Sequence, residues 1–115
     1  MVELERFDWS LLVDIYKKTR NEELKKLIEA VLEINAKIWL MEVSGKNCEI
    51  SDMLDYYREI AELRVKALEL FKKVENLIPT GTRLKLHIWI LDVKRNTKNY
   101  IMNSTKKCAI KGLLR

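Results

Sequence analysis

SDMLDYYREIAELRVKALELFKKVENLI, residues 51–78, is the longest unbroken helical pattern in this 115-residue chain. Successive residues of a helix step by about 100°, so the series Met53, Ile60, Ala67, Val74 falls on one line. Leu54, Ala61 and Leu68 fall on the next, with Tyr57, Phe71 and Ile78 between them. Tyr56, Leu63, Leu70 and Leu77 flank the other side. Together they form an apolar arc of roughly 160°, against the ~100° stripe of an ordinary surface helix. Asp55, Arg58, Glu59, Glu62, Lys66, Glu69, Lys72 and Lys73 make the opposite, solvated face. Such a helix can serve one bundle core and keep apolar surface for a second contact. Arg64 sits near the middle of the arc, where an unpaired charge is costly.

The chain before this stretch reads as two more helices. Residues 1–7 are a polar lead-in, and Asp8 suits the N-cap of a helix over 9–20, with Lys17, Lys18 and Arg20 in its last turn. Asn21 suits the N-cap of a second helix over 22–43, which Ser44-Gly45 would end. After the central stretch, Pro79-Thr80-Gly81 is the strongest turn signal. Thr82 then suits the cap of a fourth helix over 83–103. Its first half, LKLHIWILDV, is apolar almost all round, which calls for burial by more than its own bundle. Leu84, Leu86, Ile88 and Ile90 also alternate as in a strand. A lone strand would have no partner, and the pattern continues too far for one. Residues 104–115 read as a basic C-terminal tail. The expectation is one all-α domain over 1–115, an antiparallel up-down-up-down four-helix bundle with short loops.

Charge is unevenly spread. Residues 1–78 carry 13 Lys/Arg against 16 Asp/Glu, and residues 79–115 carry 9 against 1. The last third is therefore +8 within a chain of net charge +5, the footprint of a polyanionic partner as well as of a solubilising surface. The basic set is Arg83, Lys85, Lys94, Arg95, Lys98, Lys106, Lys107, Lys111 and Arg115. Arg95 and Lys98, with Lys94 adjacent, can reach successive phosphates from one rigid helix. Tyr100 suits either a base stack or the core. Cys48 and Cys108 show no CxxC spacing, so a reduced cytoplasmic setting is the default expectation. Early charges argue against a signal peptide, and no run of about 18 apolar residues suggests a membrane span. Three Gly and one Pro leave few breaks, so long helices and short turns are expected, and the 34% charged content with a Lys/Glu/Ile/Leu bias resembles thermophile usage.

Catalytic patterns are thin, and no cofactor or metal site is expected. Glu49-Ile50-Ser51-Asp52 matches the ExxD of helical nucleotide pyrophosphohydrolases, but the EExxE partner motif is missing around Glu29 and Glu33. Arg83 and His87 resemble the arginine–histidine pair of bundle ribonucleases, one residue too close. His87 therefore suits an interior or interface position better than a catalytic one.

Three segments carry a family resemblance: Ile28-Glu29-Ala30 in the second helix, Leu63-Arg64 in the third, and Asp92-Val93-Lys94-Arg95 with Tyr100 in the fourth. Over residues 12–100 the chain resembles the accessory variability proteins of diversity-generating retroelements, which are related to bundle proteins encoded in ribosomal RNA intervening sequences. It departs from them where Asn96, Thr97, Lys98 and Asn99 replace small residues. The resemblance implies a non-catalytic protein that forms a homo-oligomer, a pentamer in the family. It implies partners too: a reverse transcriptase, and RNA or DNA held on a basic surface during mutagenic cDNA synthesis. Leu63, Arg64, Leu70, Leu86, Trp89, Ile90 and Tyr100 would then serve the subunit interface or the core. The alternative is a generic basic helical module for protein or nucleic-acid binding, with hydrolase and ribonuclease readings behind it.

Overall fold

The computed structural model describes residues 8–115; the lead-in over 1–7 lies outside the described residues. The helices are α1 Trp9–Lys18, α2 Glu22–Lys46, α3 Ile50–Val74 and α4 Thr80–Ile110, with a 3-10 turn over Glu75–Leu77. No strand occurs among the described residues. Ion pairs Glu23–Lys73 (3.6 Å) and Lys37–Glu59 (3.0 Å) set α2 antiparallel to α3. Arg64 against Ile90, and Phe71 against His87, do the same for α3 and α4. The all-α bundle read from the sequence is the observed architecture, drawn out to 51 × 22 × 20 Å.

The caps explain where the first two helices begin. Asp8 accepts from the Ser10 amide at 3.1 Å, and Asn21 from the Leu24 amide at 2.9 Å. Each satisfies a first-turn N–H that has no partner inside its helix. The main core joins Leu12 of α1, Leu27, Ile28, Val31 and Ile34 of α2, Ile60, Ala67 and Phe71 of α3, and Leu86, Trp89, Ile90 and Val93 of α4. A smaller cluster of Met41, Met53 and Ile101, with Tyr56, Tyr57 and Tyr100 against it, fills the far end. Helix α1 is short: its 10 residues span about 15 Å at 1.5 Å per residue. It covers less than half of α2. Leu32 packs against the core, while Trp39 and Val43, further along the same face of α2, are 68% and 40% exposed.

Helix α1 stops at Lys18 rather than Arg20. Helix α3 begins at Ile50 and gives way to the 3-10 turn after Val74 rather than running to Ile78. Three further boundaries differ from the sequence reading. Helix α2 does not end at Ser44-Gly45 but runs to Lys46. It closes with Cys48 in the left-handed region (φ 58°), its amide bonded to Gly45 O and the Glu49 amide to Ser44 O. That paired reversal usually holds a glycine at the left-handed position. Gly45 is required for a different reason, since a Cβ there would lie 2.7 Å from Tyr100 Oη. Helix α4 starts at Thr80, with Pro79 rather than Thr82 before it, because proline's fixed φ suits a helix start. It also runs past Asn103 to Ile110, so most of the supposed tail is helix. Gly112 (φ 67°) then reverses the chain, and Arg115 exchanges backbone hydrogen bonds with the α2–α3 loop, to Cys48 O (3.1 Å) and from the Ile50 amide (3.3 Å).

The cysteines are not free. Cys48 and Cys108 form a disulfide across 60 residues, with Cα atoms 5.8 Å apart. The sequence reading, which noted only the lack of CxxC spacing, gave no pairing for these two residues. Tertiary packing, not sequence spacing, brings them together.

Candidate nucleic-acid interface

Helix α4 carries the candidate site. Its buried side is Leu86, Trp89, Ile90, Val93, Thr97, Ile101 and Cys108. Thr97, wholly buried, donates its hydroxyl to Val93 O at 2.8 Å, so it needs no partner on another helix. The opposite side runs Leu84, Ile88, Leu91, Arg95, Lys98, Met102 at alternating spacings of four and three residues. All six are exposed. Lys94 borders this stripe on the α3 side, and Lys106 extends it by one turn. One helix face is thus apolar for its first two turns and basic for its next three. From Lys94 to Lys106 the basic part spans about 18 Å.

Arg64 stands beneath the junction of the two parts. Its Nε donates to Ile90 O at 3.0 Å and its Nη2 to Leu91 O at 3.3 Å. The partners that this charge needs therefore lie within the same chain. The guanidinium is half-buried, and it needs these acceptors because burial strips its water. Leu63 and Leu70 are half-buried against the core, and Leu86, Trp89 and Ile90 are fully inside it. These five expectations of the group are core contacts of the single chain. Tyr100 joins them: its hydroxyl donates to Glu42 O at 3.2 Å, and its ring packs over Gly45. The ring is thus packed against the small cluster at this end of the bundle. Trp89 meets Trp9 edge-on at 5.3 Å between centroids.

The predicted cations divide into two groups. Lys94, Arg95, Lys98 and Lys106 share the outer side of α4. Arg95 also meets Asp92 at 3.4 Å, an exposed pair that water screens to little net strength. Arg83 is half-buried and donates from Nε and Nη2 to Ile78 O (3.3 and 3.1 Å), closing the turn before α4. Lys85 lies off the stripe toward Asp8. That carboxyl is held below its ordinary range chiefly by the Ser10 hydroxyl, with Lys85 adding to the effect. Lys107 points away from the stripe, Lys111 follows the helix, and Arg115 docks beside Glu49.

The catalytic candidates are dispersed or occupied. Glu29 accepts from Tyr16 Oη at 3.0 Å, which raises the phenol's pKa. Glu33 lies beside the Lys37–Glu59 pair, in a groove of about 320 Å³. Glu49 and Asp52 sit at the other end of the rod, and a hydrogen bond between them pushes the Glu49 carboxyl up. No group of three or more His, Cys, Asp or Glu side chains among the described residues is placed to hold a metal ion. His87 stacks on Phe71 (4.8 Å, 15°) rather than pairing with Arg83. A groove of about 610 Å³ between α1 and the start of α4, lined by Leu11, Ile15, Leu77 and Pro79 among others, contains none of these groups.

The sequence reading asked for extra burial at the apolar start of this helix but did not place Leu84, Ile88, Leu91 and Met102 on one line with the cations. Their spacing with Arg95 and Lys98 was the available signal. No helix among the described residues is long and apolar enough to cross a membrane. Comparison with protein-family models, curated proteins and solved structures found no match for this chain.

Proposed function

We propose that this chain is a non-catalytic accessory bundle that binds RNA, and DNA by the same phosphate chemistry, through the basic part of the outer α4 face. The reading extends to self-association and to a reverse transcriptase partner, both of which the family resemblance supplies. One observation carries it: Leu84, Ile88 and Leu91 stand exposed on the same face as Lys94, Arg95, Lys98 and Lys106. The apolar part suits a protein neighbour and the basic part suits phosphates. Side chains that a bundle nuclease or hydrolase would use are engaged elsewhere: Arg83 on a carbonyl, His87 on a ring, Glu29 on a phenol.

The basic part presents three lysines, which act as point charges, and Arg95, whose guanidinium is turned to Asp92 at 3.4 Å, so recognition rests on the backbone. Four phosphate contacts on a single strand give a salt slope of roughly −2.8, or about 50-fold weaker binding between 50 and 200 mM salt. Fluorescence anisotropy with a labelled single-stranded RNA tests this. Changing Lys94, Arg95 and Lys98 together to Glu is expected to abolish binding at 200 mM salt. Retained affinity and an unchanged slope would refute the role of this face. Light scattering of the wild-type protein tests the oligomer: a mass near that of the 13.7 kDa chain would refute self-association.

A further inference from the structure

We infer that the Cys48–Cys108 disulfide is a redox-controlled staple for the C-terminal end of α4, and that it regulates the basic face; the second half of this inference rests on the nucleic-acid reading above. Among residues 102–115, Cys108 is the sole buried side chain. The rest of what fastens this stretch is weaker: the half-buried Ser104 and Thr105, the Gly112 reversal, two backbone hydrogen bonds between Arg115 and the Cys48–Ile50 segment, and the Arg115 charge beside Glu49. The disulfide joins both halves of that clamp, because Cys48 lies in the loop and Cys108 in the last turn of α4. Cys48 also holds a left-handed backbone that a non-glycine residue leaves readily when nothing pins it.

Reduction follows ordinary exchange chemistry. A thiolate of a dithiol reductant attacks one sulfur, the Cys48–Cys108 bond breaks, and a mixed disulfide forms. The reductant's second thiol displaces the protein thiolate. Two cysteine thiols and one oxidised dithiol result, with two electrons and two protons transferred to the protein. Both cysteines are at most 6% exposed, so attack passes through transient opening of the Arg115 clamp. After reduction, residues 104–115 lose their one buried anchor and fray. Lys106 then leaves the line of Lys94, Arg95 and Lys98, and the salt slope of RNA binding falls by roughly 0.7.

Hydrogen exchange by mass spectrometry, on the full chain oxidised and in dithiothreitol, tests the staple without reference to RNA. Protection in residues 104–110 is expected to drop at least tenfold on reduction, while residues 27–38 of α2 stay protected. A Cys48→Ser/Cys108→Ser variant should match the reduced protein. Equal protection of 104–110 in both states would overturn the staple. Loss of protection throughout α2 would overturn its local character. Anisotropy in the two states tests the coupling: weaker binding with a smaller slope after reduction supports it, and equal binding overturns it. Absence of binding in either state would overturn the nucleic-acid reading itself, while the exchange result would still decide the staple.

Discussion

Gly45→Ala is the sharpest test of how α2 and α4 meet. On a solvent-facing helical position this change stabilises a protein by about 1 kcal/mol, because alanine loses less backbone freedom. Here the new methyl would stand 2.7 Å from Tyr100 Oη, 3.1 Å from Tyr100 Cε1 and 3.2 Å from Met53 Sδ. Methionine can move aside, since its side chain is flexible. The tyrosine cannot do so freely: its hydroxyl is fixed on Glu42 O at 3.2 Å. Overpacking costs about 1–3 kcal/mol, and losing the tyrosine hydrogen bond costs about 1 more. Set against the propensity gain, the net destabilisation is about 1–3 kcal/mol. Urea unfolding of the oxidised protein measures it. The discriminating step is the double-mutant cycle with Tyr100→Phe. Removing the hydroxyl removes the closest contact, so Gly45→Ala should cost at least 1 kcal/mol less when Tyr100→Phe is already present. A stabilising Gly45→Ala, or an equal cost in both backgrounds, would refute the close approach.

Other changes probe separate parts of the molecule. Arg64→Ala leaves its two carbonyls to their helix partners but deletes charge-assisted hydrogen bonds, and should cost about 1.5–3 kcal/mol in urea unfolding. Arg64→Met, which keeps the apolar stem, should recover part of that loss. Asn21→Ala removes the α2 cap and should cost about 1 kcal/mol, with no change in RNA affinity. The Glu49 carboxyl is raised by its hydrogen bond to Asp52. Its stabilising contribution is therefore fully present below its ordinary value of 4.5 and is lost as pH rises through the raised value. Glu49→Gln should leave stability less dependent on pH across that window, and a wild-type-minus-variant difference constant with pH would contradict the shared proton. Ile88→Glu, at a 49% exposed site, should leave stability within about 0.5 kcal/mol but reduce the particle mass if the apolar part of the face is a subunit contact.

What the sequence made legible was local or periodic. The caps at Asp8 and Asn21 need only a side chain and an amide two or three residues on. The core of α3 followed from spacing alone: Met53, Ile60, Ala67 and Val74 are all buried. Arg64 was recognisable as a charge in need of a partner, but not as one that finds it in the Ile90 and Leu91 carbonyls. What stayed hidden depended on contacts between distant residues. Gly45 looks like a helix terminator because glycine commonly is one; only the position of Tyr100 shows that it is there for close approach. Cys48 and Cys108 carry no mutual signal across 60 residues. The end of α4 was obscured because polar and basic residues without an apolar stripe resemble a tail, and a single disulfide replaces the packing that would otherwise have marked a helix.

The division of α4 into an apolar and a basic part has a structural cause. Leu86, Trp89, Ile90 and Val93 fill the main core, so α4 is fixed in rotation by its inner side. That leaves Leu84, Ile88 and Leu91 facing outward, with Arg64 binding the helix backbone just where the stripe changes from leucine to arginine. Such an anchor holds both parts in one register. A ligand that binds the basic turns and a protein that covers the apolar turns would then meet on one rigid face, and each would reach the other through no more than a turn of helix. The two activities should therefore be coupled. If the Leu84–Leu91 part is covered by another subunit, Ile88→Glu should weaken RNA binding by removing the neighbouring copies' cations from reach. The loss should be much larger than the twofold or so that one added negative charge would produce at about 150 mM salt, where screening is strong. Equal affinity of Ile88→Glu and wild type, measured by the same anisotropy titration on particles of known mass, would show that the two parts of the face act independently.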